Sequence, residues 1–196
     1  MRISKRDSSD IFNGCLSHIR DNITTGLPEG QNWYEGHDAR YLIGTKTVYD
    51  VHGTPWSAPP AWFDIYINGY YIFPVAYSLM GRRDSRYKAN FLKGWELLGR
   101  NIQGKWKLLS NYSNKQFAFA EVRTYLIEAN ESFNAFKLNM TEADSSGTWA
   151  LCPGQIEIFG DIYTFPYTPN QKCSRGRTVS FINHLMIYIT VLMTSN

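Results

Sequence analysis

Hydrophobic and polar residues alternate along much of the chain, and this period of two is typical of strands that bury one face. The alternation is clear over residues 62–67 and again over 75–79, with an Asn68-Gly69 turn between them. Two such segments joined by a tight turn predict a β-meander. Pro74 before the second segment indicates an edge strand or a bulge, because proline cannot donate to a strand ladder.

Further short segments have strand-like composition, rich in aromatic and branched residues. They are residues 95–98, 106–109, 122–127, 136–140 and 156–159. No long helical pattern lies between them. We therefore predict an all-β chain that folds as an antiparallel sandwich or barrel.

One helical pattern precedes the strands. Its apolar face consists of Ile11, Phe12, Cys15, Leu16 and Ile19. Asp10 can cap the first turn, so we predict a short N-terminal helix over about 10–21. Residues 24–38 and 51–60 are rich in glycine, proline and polar residues, which predicts connections.

Composition narrows the functional classes. The chain has 196 residues, 43% of them hydrophobic and 19% charged, which fits one globular domain. A net charge of +3 from 20 basic and 17 acidic residues is too even for the footprint of a nucleic-acid binder. The three cysteines are far apart and the N-terminus leads into no apolar segment, which predicts reduced thiols and an intracellular, cytoplasmic protein.

Residues 161–196 differ from the rest of the chain, since a proline-rich and basic linker precedes an apolar run over 179–193. The run could pack on the sandwich, or it could anchor the chain in a membrane. A helix of this length reaches only about 22 Å, against a hydrocarbon core of about 30 Å. We predict a domain over 11–160 and a separate tail over 161–196.

Several strand segments resemble a known family. Residues 94–101 (GWELLGRN) and 106–109 (WKLL), then 136–147 and 151–160, are similar to the blocks of discoidin-like domains, also called coagulation factor 5/8 type C or galactose-binding-like domains. The upstream blocks come in the expected order, at residues 11–14, 62–65 and 75–79. The nearest resemblance is to intracellular versions that accompany BTB or leucine-rich-repeat segments in protists and to those of HECT-type ubiquitin ligases.

The resemblance covers residues 11–160 and implies a jelly-roll β-sandwich that binds ligands through loops at one end. The chain departs from the pattern at residues 133–135 (FNA), where the family tends to have Phe-Arg-Tyr, at Lys137, which replaces an arginine, and at Asp144, which stands where asparagine is usual. Residues 145–147 (SSG) can close a tight turn, since serine hydroxyls bond nearby backbone and glycine tolerates positive φ. Glu157 alternates with two isoleucines and is expected to point outward or to pair with a cross-strand cation.

Catalytic chemistry has little support in the sequence. The four histidines show none of the spacings that zinc sites or catalytic triads use, and no nucleophile elbow, phosphate loop or calcium loop occurs. Cys152 could act as a nucleophile with a distant His37 or His52, but a buried thiol is the commoner state of such a cysteine. We predict a protein that is not an enzyme and that uses no cofactor or metal.

The first candidate ligand-binding segment is the basic loop 82–88. We predict that its Arg82, Arg83, Arg86 and Tyr87 contact the ligand, because guanidinium groups match phosphate, sulfate and carboxylate oxygens two bonds at a time. The alternative is a solvated loop without a ligand.

A second candidate set is Trp33 and Tyr34 with Arg40, where rings and a guanidinium group could stack on a sugar face or a peptide. The alternative is a core tryptophan that covers the end of the sandwich. Trp56 is a third candidate, for which the resemblance suggests a structural role.

These features predict a non-catalytic binding module that recognises a protein or carbohydrate ligand through loops, with no nucleic-acid partner. A less favoured alternative is a peripheral membrane or anionic-lipid module that uses the basic loop and the apolar tail. Whether the candidate segments lie at one end of the sandwich, and the oligomeric state, are beyond the sequence.

Overall fold

The computed structural model describes residues 13–29, 39–44, 59, 61–82 and 90–169. These residues form two packed antiparallel sheets, one five-stranded with the order β1-β2-β7-β4-β5 and one three-stranded with the order β6-β3-β8. The strands are β1 Ile23–Gly26, β2 Trp62–Ile67, β3 Tyr71–Met80, β4 Trp95–Arg100, β5 Trp106–Tyr112, β6 Val122–Leu126, β7 Ala135–Met140 and β8 Gln155–Tyr163. The predicted antiparallel β-sandwich is thereby confirmed.

The period of two is visible in the burial of β2. Phe63, Ile65 and Ile67 are buried in the core, as predicted, while Trp62 and Tyr66 on the opposite face are half-buried. Each predicted strand segment corresponds to one of β2 to β8. Strand β1 was not anticipated, since its residues were assigned to a connection; it pairs with β2 along the edge of the five-stranded sheet.

The predicted meander is wrong. Strands β2 and β3 belong to different sheets, because β2 pairs with β1 and β7, whereas β3 pairs with β6 and β8. The Asn68-Gly69 turn therefore carries the chain from one sheet to the other. The predicted irregularity at Pro74 is confirmed, since the pairing of β3 with β8 changes register between Pro74 and Ala76.

The predicted helix is present but shorter within the described residues. Helix α1 spans Cys15–His18, and a 3-10 turn over Arg20–Asn22 follows it. Leu16 and Ile19 are buried, as their helical spacing predicted. The cap position is occupied by Gly14, whereas Asp10 lies outside the described residues.

The prediction for Glu157 is also corrected. Its side chain is 0% exposed, because helix α1 covers this position of β8, and the residue opposite it on β3 is Ser78, which carries no charge. The carboxylate instead accepts hydrogen bonds from the backbone N–H groups of Leu16 and Ser17.

The sandwich continues past residue 160, where the tail was predicted to begin. Strand β8 ends at Tyr163. The ring of Tyr167 stacks on the ring of Tyr163, with the two ring centroids 4.5 Å apart. Backbone and hydroxyl hydrogen bonds also join Tyr167 to Ser132. The apolar run 179–193 lies outside the described residues. Within the described ranges, no helix has the length and apolar character needed to cross a membrane.

Candidate functional site

Four connections lie at one end of the sandwich, which we call the loop end. Antiparallel pairing places the ends of β1, β3, β5 and β7 and the beginnings of β2, β4, β6 and β8 there. The connections are 27–61, 81–94, 113–121 and 141–154. Both segments with predicted ligand-binding residues belong to connections that leave from this end.

Backbone hydrogen bonds join these connections to one another. Gly81 N–H donates to Glu121 O at 2.7 Å, and Phe117 N–H donates to Leu92 O at 2.9 Å. Ser145 N–H donates to Phe91 O at 3.0 Å. The described parts of 81–94, 113–121 and 141–154 therefore form one connected layer over the core.

A buried contact between Arg82 and Asn90 ties together the two ends of segment 83–89. Arg82 Nη1 donates to Asn90 Oδ1 at 3.0 Å, and the two residues are only 2% and 8% exposed. Asn90 has a φ of +62°, a left-handed conformation that asparagine tolerates better than most residues. We call this contact the Arg82–Asn90 clasp.

Asp144 links the clasp to the connection before β8. Its Oδ2 accepts from Asn90 Nδ2 at 2.8 Å and from Thr148 Oγ1 at 2.7 Å, while its Oδ1 accepts from Ser146 Oγ at 2.7 Å. Backbone N–H groups of Ser146 and Thr148 also donate to Oδ1. Burial alone would raise the pKa of Asp144, but the donated hydrogen bonds hold it below its ordinary value.

The departure from asparagine at this position has a physical reason. A carboxylate can accept hydrogen bonds on both of its oxygens. The side-chain amide of an asparagine would instead place an N–H donor against one of the groups that donate hydrogen bonds here. The predicted tight turn is present, and Gly147 has a φ of +80°. The acceptor that closes it is Asp144, with Ser146 donating to it.

The structure describes two of the predicted ligand-binding residues. Arg82, for which ligand contact was predicted and a solvated loop was the alternative, is buried in the clasp, because its guanidinium group reaches Asn90 inside the layer. Arg40 lies exposed in a 3-10 turn over Ala39–Leu42. The other predicted ligand-binding residues lie outside the described residues; they are Trp33, Tyr34, Arg83, Arg86 and Tyr87. The third candidate, Trp56, also lies outside them. A ligand-binding role stays a prediction for each of them.

Asn90 and Trp149 were missed by the sequence analysis. Asn90 occurs in no recognisable motif, and its partner Asp144 is 54 residues away, so no local signal could reveal the contact. Trp149 is half-buried and packs against the core in the connection that contains Asp144. The local signals near this site were the basic loop 82–88 and the turn around Gly147.

Candidate metal ligands are not clustered in the described structure. Across the described ranges, no three residues of the histidine, cysteine, aspartate or glutamate types are placed to hold a metal ion. Cys152 is buried, as the commoner interpretation predicted. The histidines considered as its partners, His37 and His52, lie outside the described residues.

Comparison with known proteins gives a match at the level of structure. The chain matches no model of a protein family. It also matches no curated protein in sequence.

Solved structures with a similar fold include carbohydrate-binding modules of bacteria. CpGH89CBM32-5 from Clostridium perfringens, in complex with GalNAc-β-1,3-galactose, has 14% identity and a TM-score of 0.56, and the match covers 72% of this chain and 98% of that one. The family 32 module of C. perfringens NanJ, in complex with galactose, has 13% identity and a TM-score of 0.53, with 74% and 96% covered. The family 32 carbohydrate-binding module of Streptococcus pneumoniae EndoD has 12% identity and a TM-score of 0.53, with 77% and 99% covered.

These similarities concern the fold. They agree with the discoidin-like, galactose-binding-like sandwich that the sequence resemblance implied. The intracellular location and the association with BTB, leucine-rich-repeat or HECT segments stay predictions.

Proposed function

We propose that this protein is a non-catalytic binding module that recognises a carbohydrate at the loop end of its sandwich. Two solved structures with a similar fold contain galactose or a galactose disaccharide. The loop end of this chain has its own features that favour such a ligand.

The Arg82–Asn90 clasp is the observation that carries the proposal. It holds together the two ends of segment 83–89, and Asp144 fixes Asn90 from the other side. A segment held at both ends by buried side chains loses less conformational entropy when it binds a ligand. The clasp therefore supports a role for the predicted contact residues Arg83, Arg86 and Tyr87.

Sugars present both hydroxyl groups and an apolar ring face, so a sugar site needs hydrogen-bonding groups beside an aromatic ring. Guanidinium groups at 83 and 86 would donate to hydroxyl oxygens, as would Arg40 in connection 27–61. Trp33, Tyr34 and the half-buried Trp149 would supply ring faces. We assign these roles as parts of the proposal.

A direct test removes the contact residues from the basic loop. We expect Arg83→Ala/Arg86→Ala/Tyr87→Ala to weaken binding of a galactose- or GalNAc-terminated glycan by at least about tenfold, since each lost hydrogen bond or ring contact contributes on the order of 1 kcal/mol. Glycan-array screening would identify the ligand, and isothermal titration calorimetry would measure the affinity.

The control removes two cations elsewhere. Arg20→Ala/Lys105→Ala changes residues near the opposite end of the sandwich and should bind as the wild type does. Equal affinity of the loop variant and the wild type would contradict the role of segment 83–89. Failure of the wild type to bind any glycan would contradict the carbohydrate function itself.

The clasp can be tested separately. Asn90→Gly removes the carboxamide while keeping a residue that tolerates the positive φ of this position. We expect a loss of about 2 kcal/mol in the free energy of unfolding, because buried groups of Arg82 and Asp144 lose a partner. We also expect an affinity loss of about tenfold, because segment 83–89 is no longer held at both ends. Unchanged affinity after confirmed loss of stability would show that the clasp serves the fold alone.

A further inference from the structure

A groove runs along the side of the sandwich where β5 and β6 are the edge strands of the two sheets. It consists of two adjoining depressions of about 720 and 560 Å³ that share Gln116 and Arg123. We call it the edge groove. Between the sheets at this side, the rings of Tyr112 and Tyr125 lie 4.4 Å apart.

Arg123 connects several residues in the wall of the edge groove. Its Nε donates to Glu121 Oε1 at 2.7 Å and its Nη2 to Glu121 Oε2 at 2.8 Å. The same guanidinium group donates to the carbonyl oxygens of Lys115 and Gln116 and lies 4.7 Å from the ring centroid of Phe117. These contacts join Lys115, Gln116 and Glu121 of connection 113–121 through one guanidinium group.

The chemistry of the groove suits sugar units. Phe119 is 48% exposed and presents an aromatic surface, and half-buried Phe91 lies in the same depression. Exposed Gln116 lines both depressions and offers an amide group in the one that contains these rings, while Asn114 and Lys115 line the adjoining depression. An aromatic surface beside an amide group matches the two kinds of surface that a pyranose ring presents.

The edge groove is continuous with the loop end. Phe91 directly follows Asn90 of the clasp, and its backbone N–H donates to Ser145 Oγ. On the other side of the groove, Ala120 N–H donates to Arg82 O at 2.9 Å. Both residues of the clasp therefore adjoin residues of the groove or of its wall.

We infer that the ligand is an oligosaccharide whose terminal sugar binds at the proposed carbohydrate site and whose following units lie in the edge groove. This inference rests on the proposed carbohydrate function and specifies its ligand class. Phe119 stacks on one of the following units, and Gln116 bonds its hydroxyl groups. A monosaccharide occupies the proposed carbohydrate site and leaves the edge groove empty.

The experiment compares ligand length in wild type and variants. Isothermal titration calorimetry would measure affinity for galactose, for GalNAc and for galactose- or GalNAc-terminated tri- and tetrasaccharides. We expect the wild type to bind a longer ligand at least about tenfold more tightly than its terminal monosaccharide, from one ring contact and its hydrogen bonds. Phe119→Ala/Gln116→Ala should abolish this gain and leave monosaccharide affinity unchanged.

The matched control is Leu126→Ala, which truncates an exposed apolar residue of β6 that does not line the groove. It should keep the gain with ligand length. Equal affinity of the wild type for monosaccharides and oligosaccharides would overturn the inference while leaving the proposed function intact. A length gain that survives in Phe119→Ala/Gln116→Ala would also overturn it. Absence of binding to every sugar would overturn the inference together with the proposed function.

Discussion

Replacing Glu157 with alanine is expected to lower the free energy of unfolding by about 3 kcal/mol, because several backbone donors lose their acceptor in a buried position. The Glu157 carboxylate is 0% exposed. Its Oε1 accepts from Leu16 N–H at 2.8 Å and Ile158 N–H at 2.9 Å, and its Oε2 accepts from Ser17 N–H at 3.1 Å and from the Ser17 hydroxyl.

These bonds replace a local cap of helix α1. The first N–H groups of a helix have no partner within the helix, and a side chain at the cap position usually satisfies them. Gly14 occupies that position here and has no side chain to do so. A Cβ at Gly14 would lie only 2.6 Å from Glu157 Cγ, so glycine allows the helix to approach the carboxylate.

Urea denaturation of Glu157→Ala, with Glu96→Ala as the control, would measure the effect. Glu96 is half-buried on β4 and accepts a hydrogen bond from Asn139, so its removal should cost less than about 1 kcal/mol. Similar losses for the two variants would contradict the capping role of Glu157.

The same carboxylate predicts a pH dependence of stability. Burial raises the pKa of Glu157 from 4.5 to about 7 in the folded protein. Between these values the folded state binds more protons at Glu157 than the unfolded state, so the contribution of this group to stability is full below pH 4.5 and falls as pH rises toward 7. Relative to Glu157→Gln, the wild type should lose on the order of 3 kcal/mol across this window.

Comparison of the two proteins at each pH removes the contributions of other groups. Asp64, whose pKa burial raises, and Asp144, whose pKa hydrogen bonds lower, titrate in both. A stability difference that stays constant from pH 4.5 to 7 would contradict the raised pKa of Glu157.

Replacing Lys137 with alanine is the second change expected to have a large effect, with a loss of about 3 kcal/mol in the free energy of unfolding, since it leaves a buried carboxylate without its cation. Lys137 Nζ lies 3.4 Å from Asp64 Oδ1, and Asp64 is only 3% exposed. The same ammonium group lies 3.7 Å from the ring centroid of Trp62 and 4.9 Å from that of Trp106. The faces of these rings attract the ammonium group, and this cation–π attraction adds to the ion pair.

Two variants separate this contact from ordinary surface pairing. Lys137→Arg keeps the charge and the stacking and should retain stability within about 1 kcal/mol. Lys93→Ala removes a more exposed cation 3.8 Å from Glu142 and should cost less than about 1 kcal/mol. Urea denaturation, monitored by tryptophan fluorescence, would measure the free energy of unfolding of all three variants. Equal losses for Lys137→Ala and Lys93→Ala would contradict a special role for the buried pair.

Local patterns along the chain were enough to predict seven of the eight described strands, β2 to β8, and the core-facing side chains of β2. The alternation over 62–67 required no knowledge of the rest of the chain, because the pleat of a strand sends neighbouring side chains to opposite faces. The resemblance to discoidin-like domains then indicated a sandwich. These predictions depend on residues within a few positions of one another.

Which strands pair with each other depends on residues far apart along the chain, so the strand order became visible only in the folded structure. The Asn68-Gly69 turn is compatible both with a hairpin and with a crossing between sheets, and only the pairing of β2 with β7 excludes the hairpin. Glu157 does alternate with its neighbours, but α1 covers the face on which it lies.

The candidate site shows the same division. The sequence by itself indicated a basic loop over 82–88 and a turn at 145–147. Only the tertiary structure buried Arg82, joined it to Asn90 and placed Asp144 beside both. Hydrogen bonds between residues far apart in sequence form only after the strands have brought the connections to one end. For that reason, patterns along the sequence were sufficient to predict strands β2 to β8. The contacts of the candidate site could be identified only in the folded protein.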